Sequence, residues 1–179
     1  MKRLFLVLFT LSACLAGPLW AADKANTVYL DLKDGRVVIE LFPDVAPKHV
    51  ERFKTLIKQG FYNGLKFHRV LTGFMAQTGD PTGTGSGGSK LPNLKAEFNS
   101  TPFKRGTLGA ARTNDPDTAN SQFFICFEAT AHLNGKYTAF GQVIEGMQFV
   151  DRIKKGNDPS GQVFNPDTIV KMQLASDAK

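Results

Sequence analysis

In FHRVLTGFMAQTGD, residues 67–80, one cation, one oily cluster and one amide stand close together: Arg69, then Phe74 and Met75 behind a glycine at Gly73, then Gln77. The same types recur in ANSQFFICF, residues 119–127, where Gln122 precedes Phe123 and Phe124. Two strand-like runs of this make-up can line opposite walls of one pocket, mostly apolar with a few convergent donors, as sites for small or peptide ligands are. Each of these residues also has a plain structural use. An arginine between apolar residues commonly lays its stem on the surface, and Phe74, Met75 and Phe124 suit an ordinary core. Composition and spacing leave both readings open.

Other chemistries lack their residues. His49, His68 and His132 are far apart, form no HxH or HExxH pattern and have no carboxylates grouped with them, so no metal site is expected. There is no GxSxG, Ser121 has no motif pairing it with a base, and no paired acids suited to hydrolysis are recognisable. Gly83, Gly85 and Gly88 formally fit GxGxxG, but Leu91-Pro92-Asn93 follows where a phosphate-binding helix must start, and Gly88-Ser89-Lys90 lacks the GK[ST] order.

The elements that must hold these residues are mostly short strands. Residues 27–42 alternate apolar and polar about Asp34-Gly35, a pair favoured in two-residue turns, predicting a hairpin with Val28, Leu30, Leu32, Val37, Ile39 and Leu41 inward. Pro47 can begin a helix that ends at Gly60 and keeps Val50, Phe53, Leu56 and Ile57 on one face. Asn63-Gly64 reads as a turn into a strand at 65–70, and the glycine-rich stretch 81–89 as a mobile loop. Further strands are expected at 107–111, 123–127, 137–143 and 168–174, the last with Val170, Met172 and Leu174 on one side. A second helix is expected over 147–155, with Met147, Val150 and Ile153 inward, and a disordered tail over 175–179. Many strands with two helices suggest a mainly β, closed barrel.

Residues 1–22 read as a cleavable export signal: Lys2 and Arg3, an apolar run to Ala16, Gly17-Pro18, then cleavage near Ala21 or Ala22. The run is shorter than the roughly 20 residues a membrane span needs. Leu11-Ser12-Ala13-Cys14 also fits a lipid-attachment spacing at Cys14, although apolar residues continue beyond it. Without the leader, Cys126 is the lone cysteine, expected as a small buried hydrophobe rather than a nucleophile, and no internal disulfide is available. Removing Lys2 and Arg3 from the 22 basic residues, against 16 acidic, lowers the formal charge from +6 to +4. The remaining cations are scattered, so a nucleic-acid patch is not expected.

Four stretches together carry a family resemblance: FHRVLTGFMAQTGD, the glycine loop ending near Gly88, FKRGTLGAAR, and NSQFFICF followed by LNGKYTAFGQVIEGM. Over residues 27–174 the chain resembles the cyclophilin family of peptidyl-prolyl cis-trans isomerases, and with its leader the periplasmic bacterial members. The resemblance implies an eight-stranded antiparallel closed barrel capped by two α-helices, with residues 23–179 as the isomerase domain. It implies Arg69 as the catalytic arginine, with Gln77 beside it. Phe74, Met75, Phe124 and Leu133 would form the proline pocket, Gln77 and Gln122 its polar wall, and Ala111, Arg112 and Tyr137 the groove for the substrate backbone. No cofactor is implied. The partners implied are unfolded or partly folded exported proteins containing proline, met by a monomer with no nucleic acid and no stable membrane association; a proline-peptide-binding chaperone with little turnover is the other function the fold allows. Three features depart from the family's pattern. His132, expected as a further substrate-binding residue of the groove, stands where drug-sensitive relatives carry tryptophan, implying weak cyclosporin binding; Arg112 stands where many relatives have asparagine; and TNDPDTANSQ, residues 113–122, is one residue longer than usual.

Overall fold

The computed structural model describes residues 23–178. The expected leader, its cleavage and the Cys14 alternative lie outside the described residues. Strands β1 (Thr27–Leu32) and β2 (Gly35–Leu41) form the expected hairpin, and all six residues assigned to its inner face are buried. Leu32 pairs with Gly35, so the two-residue turn is Lys33-Asp34, one position earlier than the sequence suggested. Gly35 instead opens β2 at φ +148°, where a Cβ would lie 2.5 Å from Cζ of Phe149. The glycine is a seat for that ring.

Helix α1 (Pro47–Lys58) buries His49, Val50, Phe53, Leu56 and Ile57, the expected stripe with one histidine added. Pro47 opens the helix, where its missing N–H is no loss, and the chain turns away at Gly60 with φ +67°. Phe53 meets Phe123 and Phe140 edge-on, at centroid distances of 5.1 and 5.2 Å, which anchors the helix to the sheet. The N-cap residue, Ala46, offers no side-chain acceptor, and Glu97 from a distant loop replaces it. Its carboxylate accepts the backbone N–H groups of Lys48 and His49 and the Nδ1–H of His49, the last at 2.6 Å.

The remaining strands are β3 (Arg69–Leu71), β4 (Met75–Thr78), β5 (Thr107–Ala110), β6 (Phe123–Cys126), β7 (Ala139–Glu145) and β8 (Lys171–Leu174), with α2 (Met147–Val150) after β7. They form one eight-stranded antiparallel sheet, ordered β3-β4-β6-β5-β7-β2-β1-β8. The edge strands β3 and β8 share no ladder. The residues leading into them close the gap singly: Phe67 N–H to the Asp167 carbonyl and Ile169 N–H to the Leu65 carbonyl, both 2.9 Å.

Several expectations are corrected. The 65–70 strand is regular only from Arg69, because residues 64–67 spend their bonds on the closing bridges. The helix over 147–155 is α-helical for four residues and then only turn-like, although Val150 and Ile153 are buried as expected. Val170 points outward, 59% exposed, and Ile169 takes its inner place, because Val170 N–H bonds the Asp31 carbonyl and breaks the alternation. The tail is a 3-10 turn, Ala175–Asp177, with Ala175 buried.

Two apolar clusters share the sheet. The larger fills the interior: Val28, Leu30, Ile39, Phe67, Leu108, Phe123 and Ile125, roofed by α1. Met75, Phe103, Phe124, Cys126, Leu133 and Ala139 form a second cluster on the outer face. Strand β6 serves both, sending Phe123 and Ile125 inward and Phe124 and Cys126 outward, since successive side chains leave opposite faces of a strand. Burial pushes the Cys126 thiol up to about 11, so it is the inert hydrophobe expected.

Candidate active site on the outer barrel wall

Register brings the two sequence stretches together. Gln77 of β4 lies opposite both Arg69 of β3 and Phe124 of β6, and Met75 lies opposite Cys126. Along β4, Met75 and Gln77 therefore share the outer face while Ala76 enters the core.

Phe124 is the floor of a cavity of about 340 Å³ lined by Arg69, Phe74, Met75, Gln77, Ala111, Arg112, Phe124, His132, Leu133 and Tyr137. Its ring stacks on Phe103 at 5.8 Å and meets Tyr137 edge-on at 5.9 Å. Below it is Gly109, where a Cβ would stand 2.2 Å from Cζ of Phe124. Phe74 and His132 face each other at the rim, 5.5 Å apart. All but one of the expected site residues line this cavity. Gln122 does not; it lies in the wall of an adjoining cavity of about 570 Å³, which shares Gln77, Ala111 and Arg112 with the first.

A continuous run of hydrogen bonds ties the polar residues. Arg69 donates from Nε to the Ser160 carbonyl, 2.9 Å, and from Nη1 to Oε1 of Gln77, 3.2 Å. Gln77 donates to Oε1 of Gln122, 2.8 Å, and Gln122 donates to the carbonyls of Gly85 and Gly87. Nη2 of Arg69 makes no hydrogen bond among the described residues and remains a donor at the cavity wall.

The glycine loop that receives this run is not the mobile segment expected. Asp80, buried beneath it, accepts the backbone N–H groups of Thr82, Thr84, Gly85 and Gly87 and the Thr82 hydroxyl. Burial pushes the Asp80 carboxyl up, but the Thr82, Gly87 and Gly85 donors outweigh it and hold the pKa at about 2. Sequence alone flagged the glycines and not the acid that pins them. Phe103, Gly109 and Ser160 were also missed. Gly109 carried no signal, because its need for empty space arises from β6, distant in sequence.

Acid should therefore loosen this region in two steps. His49 and His68 are held below their ordinary value of 6.5, first by burial, so stability present above that value is lost as pH falls and both must charge. The Asp80 contribution is present above its ordinary 3.8 and lost as pH falls towards about 2; by linkage it is worth about 2 kcal/mol. Thermal unfolding at pH 7, 5 and 3 is expected to fall progressively, with Asp80→Asn less stable at pH 7 and flatter in the lower window. An unchanged acid slope in Asp80→Asn would refute that assignment.

Comparison with known proteins agrees with this geometry. The family model for cyclophilin type peptidyl-prolyl cis-trans isomerases matches residues 27–174. The chain belongs to this family. A probable peptidyl-prolyl cis-trans isomerase of Brucella suis is 52% identical over 171 residues, covering 89% of this chain and 87% of its own. Peptidyl-prolyl cis-trans isomerase B of Bacillus subtilis is 42% identical, covering 74% and 93%. Among solved structures, a Hirschia baltica cyclophilin superposes with a TM-score of 0.79 at 27% identity, covering 88% of this chain and 77% of that one. A Cryptosporidium parvum cyclophilin type isomerase, determined in the presence of the dipeptide Ala-Pro, gives 0.76 at 31% identity, covering 83% and 98%. By its family, the chain is accordingly a peptidyl-prolyl cis-trans isomerase. The cyclophilin architecture also accounts for the outer-face site, since the barrel interior is filled.

Proposed function

We propose that the chain isomerises X-Pro bonds in exported proteins, with Arg69 as the donor that stabilises the twisted bond. The observation that carries this is Arg69 itself, held at Nε and Nη1 with Nη2 unengaged, at the edge of an apolar cavity floored by Phe124.

Rotation about a peptide bond faces about 18–20 kcal/mol, because resonance gives C–N partial double-bond character. Proline seated on Phe124 between Met75 and Leu133 is gripped while the acyl side turns. As the bond twists, resonance is lost, the prolyl nitrogen becomes pyramidal, and the lone pair it had shared with the carbonyl is localised on it. Arg69 donates to that lone pair, an interaction absent from either planar ground state, and so lowers the barrier rather than merely binding substrate. Free X-Pro bonds turn over in tens to hundreds of seconds. Raising that to about 10–1,000 per second requires roughly 4–7 kcal/mol, of which a preorganised donor supplies about 2.7–4 kcal/mol. The grip on the ring supplies the rest. No covalent bond changes, so the reaction calls for no metal or cofactor.

The clients are proline-containing, partly folded chains outside the cytoplasm, in keeping with the leader read in residues 1–22. The enzyme acts in the periplasm as a monomer, without nucleic acid or stable membrane association; no helix among the described residues is long and apolar enough to cross a membrane. Acceleration of the slow phase of an Ala-Pro-Phe anilide peptide tests the activity. A periplasmic fraction containing a mature chain that starts near Asp23, with no acyl group on Cys14, tests the location. A chain that binds the peptide without accelerating it would instead be a holder.

His132 is exposed at the rim and gives the groove neither an indole donor nor an indole's apolar area. Cyclosporin is therefore expected to bind weakly in calorimetric titration while turnover persists; a nanomolar Kd would refute this.

A further inference from the structure

The larger cavity beside the proline site has one charged group in its lining, Arg112. Its other residues are Gln77, Ala111, glycines and serines of the pinned loop, and uncharged residues of the 93–122 region. Arg112 also lines the proline cavity, so it stands on the divide between the two. With Arg69, the joined groove carries two guanidinium groups and no carboxylate.

The Arg112 guanidinium is fixed in place. One face lies over the Tyr137 ring, 4.3 Å from its centroid. Nη1 donates to the carbonyls of Thr113 and Asn114, and Nη2 to that of Lys136, 2.8 Å. These bonds take three of its five N–H groups. Nε is buried and has no acceptor among the described residues. Among the described residues no carboxylate pairs with Arg112, although Arg36 and Arg105 each have one. A cation held by neutral carbonyls and an aromatic face, without its own anion, is prepared for one from outside: the side chain has already lost its freedom, so little ordering remains when a carboxylate arrives.

We propose that Arg112 makes this isomerase selective for proline segments carrying an aspartate or glutamate within about three residues of the proline, a reach set by about 3.3 Å of extended chain per residue. This rests on the proline site proposed above: the ring occupies the Phe124 cavity, and the acidic side chain enters the adjoining one and accepts the second Nη2 hydrogen of Arg112, the unengaged one that is not the buried Nε–H.

The test is kcat/KM by protease-coupled or exchange kinetics for matched peptides bearing Glu or Gln at each of the three positions on either side of an X-Pro bond. With the whole mature chain, Glu at one position is expected to exceed Gln by about fivefold, the order expected of a partly screened charge pair. The gain should reside mainly in KM and shrink as salt rises. Arg112→Gln should bring the Glu/Gln ratio to about one, Arg112→Lys should keep part of it, and Arg112→Glu should invert it in favour of Lys peptides, as follows from charge complementarity. A ratio near one at every position in the unaltered protein, or one that survives Arg112→Gln, overturns the proposal. The Gln peptides separate the two readings: if they are not accelerated, the isomerase reading fails; if they are accelerated without a Glu preference, only the role of Arg112 fails.

Discussion

Replacing Arg69 by alanine is expected to lower kcat/KM for a proline peptide by roughly 100- to 1,000-fold, the value of one preorganised donor to a developing charge. The fold should survive. Arg69 is half-buried on an edge strand, and its two bonds go to a carbonyl and an amide at the surface of the barrel wall. Losing them should lower Tm by no more than about 4 °C, the shift that 1 kcal/mol produces in a domain of this size. Peptide binding, carried chiefly by the apolar cavity, should weaken far less than turnover. Arg69→Lys keeps the charge but not the fork that reaches Ser160 and Gln77 together, so its rate should fall between the two. A variant of normal stability retaining a third of the activity would remove Arg69 from the mechanism.

A single methyl group at Gly109 should be the other large effect. The Cβ of Gly109→Ala would stand 2.2 Å from Cζ of Phe124 and 2.7 Å from Cε1 of Phe103, closer than any real contact. Either β5 or the Phe124 ring must move, and overpacking of this kind costs about 1–3 kcal/mol. The ring has room only on its cavity side, where proline must sit, so kcat/KM should fall roughly 10- to 100-fold, as reacting groups displaced by about 1 Å do. Gly109→Ala combined with Phe124→Leu should recover stability without recovering activity, which separates a displaced floor from general unfolding. Unaltered Tm and kcat/KM in Gly109→Ala would mean that Phe124 is not the fixed floor described.

Much of the frame was legible in local patterns, for a physical reason. Alternation about the first hairpin and the 3.6-residue stripe of α1 depend on neighbours within a few residues, and those neighbours are the sequence. Misreadings came where distant bonds override the pattern. Val170 turns outward because the Asp31 carbonyl takes its N–H, and the glycine loop is ordered because one buried acid gathers four backbone donors. Neither partner is visible to a local window.

The sequence by itself determined which chemistry was available: a guanidinium, two amides and several large apolar side chains, with no metal, nucleophile or phosphate motif beside them. Its long motifs also determined the family. Only the tertiary structure decided that Arg69, Gln77 and Gln122 form one run of hydrogen bonds, that the site lies on the outer face because the interior is already filled, and that Gly109 must be empty for Phe124 to lie flat. It also decided that Arg112 stands between two cavities with no carboxylate paired to it among the described residues. Strand register and the closure of the sheet set these relations. Both depend on contacts between residues far apart in the chain, so they come into being only once the whole sheet has formed.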